Sequence, residues 1–315
     1  MTLATFLRLG LFLQTGIVVA LALWLLPSGY GWLALPIAAF VPLAVNGVAL
    51  AFEFAVGAAV DPRTPRLPLR DRLAIWWEET LVSTRMFSFS QLFAARFPEP
   101  PLVRDPQRPA VLLVHGYLCN RAVWRALLDS GTLGGCNVAT VNLEPIFGPI
   151  ERYADVINGA VDRLRAATGA TQVVLVGHSM GGLAIRAYLR SCSDAAVARV
   201  ITLATPHHGT ALAPLGTGAN AKQMRIGSRF TTELEQALSP AVVAKFACIA
   251  TRDDNLIVPR TSPLVRGAQH IVVERVGHLA LLEDERAWQA IHDAVHAMPD
   301  HGLVAPRQRV IDSAT

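Results

Sequence analysis

Three positions in the second half of the chain have the residue types needed for nucleophilic acyl transfer. Ser179 lies in Gly177-His178-Ser179-Met180-Gly181, where a run of aliphatic residues from Val173 to Val176 meets small residues on both sides of one hydroxyl. A serine hydroxyl is a weak nucleophile at neutral pH and needs a base to take its proton. The base needs a carboxylate to fix its tautomer and stabilise its charged form. "RVGHLALL" supplies His278, and "TRDDNLIVP" supplies two adjacent carboxylates, Asp253 and Asp254. Each of the three segments follows an apolar run, in the chain order Ser, Asp, His.

These residues need elements that end at one edge of the molecule. From residue 110 short aliphatic runs alternate with helix-spaced segments. "AVLLVHG", "NVATVNL", "QVVLVGHS", "VARVITLATP", "VAKFACIAT" and "QHIVVERV" read as strands. "RAVWRALLDS", "YADVINGAVDRLRAATG", "GGLAIRAYLRS" and "EDERAWQAIHDAVHAM" read as helices. Fully apolar strands between amphipathic helices imply an α/β fold, a mostly parallel sheet of about six strands covered on both faces. On such a sheet a G-x-S-x-G turn between strand and helix holds its serine on a sharp, exposed elbow.

The order of "LVHGY", "GHSMGG", "TPHHGT", "DNLIVP" and "GHLALL" resembles that of the α/β-hydrolase superfamily, within it the bacterial lipases and esterases. The resemblance covers about residues 108 to 300. It implies Ser179 as nucleophile, His278 as base and an aspartate as orienter. Asp254 suits that role better than Asp253, because "DNLIVP" matches an acid followed by a polar residue and then aliphatics. It also implies an oxyanion hole from the backbone N–H groups of Met180, after the nucleophile, and Tyr117, in the "HG" loop. The irregular stretch 212–238 falls where this superfamily inserts caps, with Leu215 and Met224 as candidate walls of an acyl pocket. The implied activity is hydrolysis of lipid-like or small carboxylic esters, with no metal or cofactor. Thioesterase, amidase or acyltransferase chemistry on the same triad and a non-catalytic membrane interaction protein are the alternatives.

The other histidines have plainer roles. His115 and His178 precede glycines and brace the two loops, and His207 and His208 border the site. His292 and His296 have metal-ligand spacing but lack the glutamate of HExxH. The four cysteines, Cys119, Cys136, Cys192 and Cys248, have no zinc or redox spacing and read as packing residues of a reducing compartment. A formal charge of +4 with scattered arginines excludes an electrostatic nucleic-acid footprint.

Apolar residues make up 52% of the chain and concentrate in its first sixty positions. "LGLFLQTGIVVALALWLL" (9–26) and "WLALPIAAFVPLAVNGVALAF" (32–52) carry no charge. Each is long enough, at about 1.5 Å per residue, to cross about 30 Å of hydrocarbon. They imply a transmembrane hairpin over 1–60, with Trp24, Tyr30 and Trp32 near its turn. A cleaved signal peptide is the rival reading. Arg8, Arg63, Arg66, Arg70 and Arg72 flank the outer ends and the turn has no positive charge. The positive-inside rule then puts both ends, and the catalytic domain, in the cytoplasm. Residues 61–109 form an amphipathic segment, at the membrane surface or packed on the domain, and a proline-rich linker. Residues 110–300 form the catalytic domain and 301–315 a tail.

Overall fold

The computed structural model describes residues 2–62, 67–192, 194–297 and 308–311; Arg63, Arg66 and most of the 301–315 tail lie outside the described residues. The chain opens with α1 (Leu3–Leu25) and α2 (Ala34–Val60), joined by a tight turn. Both contain apolar segments long enough to span a bilayer, with mean hydropathy reaching 2.2 within Leu3–Ser28 and 1.8 within Phe40–Val60. α2 continues through Pro42. α3 (Leu69–Ser88) follows, then a 3-10 segment, Ser90–Arg96.

The remaining elements alternate. They are β1 (Ala110–Val114), α4 (Arg125–Asp129), β2 (Asn137–Val141), α5 (Arg152–Thr168), β3 (Val173–His178), α6 (Met180–Ser191) and β4 (Val197–Leu203). Three short helices, α7 (Gly218–Gln223), α8 (Arg229–Gln236) and α9 (Pro240–Val243), interrupt the pattern. β5 (Phe246–Thr251), β6 (Gln269–Val273), α10 (Glu285–His296) and β7 (Gln308–Ile311) complete it. The strands form one parallel sheet in the order β2-β1-β3-β4-β5-β6-β7.

The sheet has seven strands, where the apolar pattern marks six. The additional strand, β7, pairs with β6 from within the expected tail. As an edge strand it has only one neighbour, and its sequence "QRVI" is half polar, so no aliphatic run announces it. The inner strands β1 and β3 are buried along their whole length. Buried residues of α5 and α6 cover one face, and those of α10 with Trp124, Leu127, Val82 and Met86 cover the other.

α3 has two faces with different neighbours. Ile75, Glu79, Val82, Ser83 and Met86 are buried against the rest of the protein. Leu69, Leu73, Trp77 and Leu81 recur every fourth residue as an exposed apolar stripe. Trp76 donates its indole N–H to the Gly47 carbonyl of α2 at 2.8 Å, and Asn46 of α2 donates to Thr84 at 3.1 Å. The proline-rich segment after α3 is also tied down, because Asn137 exchanges hydrogen bonds with the Val103 backbone at 2.7 and 2.9 Å.

Candidate active site

Ser179 sits between the last residue of β3 and the first of α6, with φ 54° and ψ −126°. That conformation costs a non-glycine residue about 1–3 kcal/mol and persists only where its surroundings fix it. They do so here through small residues. A Cβ at Gly116 would lie 2.8 Å from the Ser179 Cβ, so only glycine lets the β1 loop approach the nucleophile. A Cβ at Gly181 would collide with the carbonyls of Val114 and His115. The Ser179 N–H donates to the Leu203 carbonyl of β4 at 2.8 Å, which ties the elbow to the next strand. The serine keeps 7% of its surface exposed.

His278 and Asp254 come together at the same edge of the sheet, on the loops that follow β6 and β5. The His278 Nδ1 lies 3.0 Å from the Asp254 Oδ2, and both residues are buried. The other oxygen, Oδ1, accepts the N–H groups of Leu256 and Ile257 at 2.8 and 2.7 Å, which fixes the plane of the carboxylate. Asp253 points elsewhere and accepts the Arg275 N–H at 2.9 Å. Burial by itself lowers the pKa of His278, but the charge and hydrogen bond of Asp254, helped by Glu79, override it and the net shift is upward.

Burial disfavours the charged form of His115, His178 and His207. Burial pushes His115 down to about 4. Its Nε2 accepts the Leu143 N–H at 2.9 Å, so its Nδ1 carries the proton and donates to the Gly116 carbonyl, also at 2.9 Å. Burial, followed by the nearby charge of His278, drives His178 well below the usual imidazole value. Its Nε2 faces the His278 carbonyl at 3.3 Å, and the two rings lie 4.7 Å apart. His207 is buried between Arg186 and Thr202, at 3.2 and 3.1 Å. His208 is exposed and faces the Leu264 carbonyl at 3.2 Å.

Met180 is the first residue of α6, where backbone N–H groups have no intrahelical partner and the helix dipole favours negative charge. Tyr117 follows Gly116 in the loop packed on Ser179. The two backbone N–H groups thus belong to adjoining segments that flank the nucleophile. The Tyr117 hydroxyl donates to the Thr217 carbonyl at 2.8 Å and accepts the Thr217 N–H at 3.0 Å, which laces this loop to the 212–238 insertion. Within that insertion Leu215 is 65% exposed, while Met224 is 6% exposed and packs in the hydrophobic core.

The profile of a protein family described by the alpha/beta hydrolase fold matches residues 109–224. A lipase of Bacillus licheniformis in its mature form superposes with TM-score 0.55 at 18% identity, over 62% of this chain and 96% of the other. The fold is that of the α/β hydrolases. A lipase B of Aspergillus fumigatus shares this hydrolase fold more widely, with TM-score 0.58 at 14% identity over 87% of this chain and 82% of the other. The sequence is also similar to a triacylglycerol lipase of Pseudarthrobacter phenanthrenivorans, 49% identical over 115 residues, which are 34% of this chain and 35% of that one. The chain thus matches about a third of the length of such curated relatives. Residues 2–62 of the structure lie outside the segment that matches the hydrolase profile.

Several side chains that touch this site carry no motif in the sequence. Asn255 accepts the His278 N–H at 3.1 Å and donates to Glu53 of α2 at 2.7 Å. Glu79 of α3 accepts the N–H groups of Leu279 and Ala280. Gln91 binds both the N–H and the side-chain amide of Asn120, at 2.9 and 2.8 Å, where the Tyr117 loop ends. One signal was available for Glu53, the single charged residue between Arg8 and Asp61. A charge in so apolar a stretch has a specific partner as a rule.

Proposed function

We propose that the protein is a membrane-anchored carboxylic-ester hydrolase that works through an acyl-enzyme. The observation that carries this reading is the buried Asp254–His278 pair at the sheet edge where Ser179 occupies its strained turn. In the proposed reaction His278 removes the Ser179 proton as the hydroxyl attacks the ester carbonyl. The N–H groups of Met180 and Tyr117 hold the oxyanion, and each such donor contributes about 3–4 kcal/mol in the transition state. His278 then protonates the leaving alcohol and activates water to release the acid. Similarity to the triacylglycerol lipase supports an ester as substrate, and the apolar N-terminal helices support a lipid-like one.

The reading is tested with a panel of chromogenic esters of increasing acyl length, beside matched thioesters and amides, on full-length protein in detergent. Ester turnover is expected to exceed the others. Preferential cleavage of thioesters or amides would transfer the same triad to another substrate class. The pH profile gives a second check. The raised pKa of His278 means that the imidazole becomes charged, and unable to accept the serine proton, at a pH above its ordinary value. The acid limb of kcat/KM is expected to have its midpoint above about 6.5, with activity lost as pH falls through it. A midpoint below that value would contradict the geometry.

The proposed anchoring rests on α1 and α2, whose apolar side chains Phe12, Leu13, Trp24, Phe40 and Val48 are exposed in the isolated chain. The stripe of α3 extends this apolar surface beside α2. The C-terminal end of the hairpin meets the hydrolase domain, where Asp61 accepts the Arg260 N–H at 3.1 Å, and near its N-terminal end Arg8 donates to the Leu92 carbonyl of the 3-10 segment at 3.0 Å. We place that domain in the cytoplasm on the distribution of arginines. A cytoplasm-dependent fluorescent reporter fused after residue 315 should be bright, and a reporter active only in the periplasm should be silent. The opposite pair of signals would point to a cleaved signal peptide or a single span.

A further inference from the structure

We infer that the N-terminal helices complete the catalytic site, with Glu79 of α3 acting as a positioning residue for His278. The inference rests on the reading of His278 as the base. Glu79 is fully buried, and its carboxylate is inserted into the turn that carries the histidine. Oε1 accepts the Leu279 N–H at 2.7 Å and Oε2 accepts the Ala280 N–H at 2.9 Å, the two backbone donors immediately after His278. On the other side of the histidine, a Cβ at Gly277 would collide with Oε2 and the carboxyl carbon. The residue before the base is therefore a glycine against which the carboxylate rests. α2 holds the same histidine from a second direction. Glu53 accepts from Asn255 at 2.7 Å, and Asn255 accepts the His278 N–H at 3.1 Å. Because Asn255 follows Asp254, this contact fixes the acid loop and the base loop to each other.

The residues after His278 form a 3-10 turn, Ala280–Leu282, and a cap on so short a turn does not require a charge. A serine, threonine or asparagine could satisfy a backbone N–H there without the desolvation cost of a buried carboxylate. A carboxylate adds negative potential beside a histidine that becomes a cation during each proton transfer. Among the described residues the titratable groups facing it are His278 and Asp254, with Glu53 acting on His278 from α2 and the ring of neutral His178 lying 4.7 Å from that of His278. Glu78, next to Glu79 on α3, interacts instead with Glu283, Asp284 and Arg286. Burial pushes the pKa of Glu79 up to about 7, while its two backbone hydrogen bonds and the charge of His278 oppose the rise. When ionised, Glu79 is one of the charges that raise the pKa of His278, after Asp254.

The test uses full-length protein in detergent micelles, a fluorophosphonate probe and a short-chain p-nitrophenyl ester. Glu79→Gln keeps the size of the side chain and one acceptor, removes the charge, and turns an amide donor toward a backbone donor. The expected result is a fall in kcat of roughly 10- to 100-fold with KM within about threefold, since small misplacements of a catalytic group have effects of that order. The acid limb of kcat/KM should move to lower pH. Glu79→Asp should retain more activity than Glu79→Gln and an acid limb close to that of wild type. Gly277→Ala, which displaces the same carboxylate from the opposite side, should reproduce the loss of kcat and decides the matter if Glu79→Gln does not fold. Wild-type kcat in Glu79→Gln, or a loss of kcat with the acid limb unmoved, would overturn the inference. So would a Gly277→Ala variant as active as wild type. A wild-type protein inert to both reagents would remove the hydrolase reading and the inference together. An active wild type beside an unaffected Glu79→Gln removes the inference alone.

Discussion

Ser179→Ala should eliminate ester turnover and leave the protein folded. Removing the hydroxyl deletes the only atom that bonds to substrate in the proposed reaction. The residual rate would come from the oxyanion donors and substrate binding alone. Triad members act as a unit, so the loss is expected to be on the order of 10⁴- to 10⁶-fold in kcat. The fold should tolerate the change. Alanine meets the same backbone strain at φ 54° as serine does, and the Ser179 N–H bond to Leu203 is made by the main chain. Full-length wild type and variant would be compared by turnover of a chromogenic ester and by thermal unfolding. Turnover in Ser179→Ala within about tenfold of wild type would remove the serine from the mechanism.

Asp254→Asn should be nearly as damaging, with a loss of about 10⁴-fold in kcat. The two oxygens of Asp254 have separate tasks. Oδ1 is held by the N–H groups of Leu256 and Ile257, and Oδ2 faces the His278 Nδ1. An asparagine would leave its oxygen with the two backbone donors and present its NH₂ to the imidazole. The histidine would then place its proton on Nε2, the nitrogen that must accept the serine proton. The change also removes the main influence that raises the pKa of His278, so whatever activity remains should have its acid limb at lower pH. Asp253→Asn is the control at the adjacent position. Asp253 accepts the Arg275 N–H, and an amide oxygen can do the same, so its loss should stay within about tenfold. If Asp253→Asn were the more damaging variant, the orienting acid would be its neighbour rather than Asp254.

The legible parts of the chain were those where one local rule governs. Aliphatic strands such as Val173–Val176, buried on both faces, announce a parallel sheet. Gly169, at φ 80°, ends α5 as its position in the sequence implied. Ser179 is legible because few other reasons exist to surround a hydroxyl with glycines at the end of such a strand. The amphipathic segment within 61–109 is ambiguous in sequence for a physical reason. α3 is amphipathic twice over, with one face on the domain and an apolar stripe left open, and no single partner explains its pattern. The contacts of Glu79, Glu53 and Gln91 were not legible, because each depends on two segments far apart in sequence meeting at one loop. Periodicity reports which face of a helix is buried but not which backbone N–H waits there. The apolar pattern alone leaves open whether the segment after the hairpin packs on the domain; in the structure Glu53 of α2, Glu79 of α3 and Gln91 of the following 3-10 segment meet the loops of Asp254, His278 and Tyr117.

Labelling of full-length protein with a fluorophosphonate probe, followed by peptide mapping of the adduct, bears most directly on the catalytic reading. Such probes react with an activated serine, whatever its natural substrate. One adduct is expected, on the peptide that carries Ser179, and it should be absent from Ser179→Ala and formed far more slowly in Asp254→Asn. A folded wild-type protein that takes up no probe, or an adduct that persists in Ser179→Ala, would contradict it.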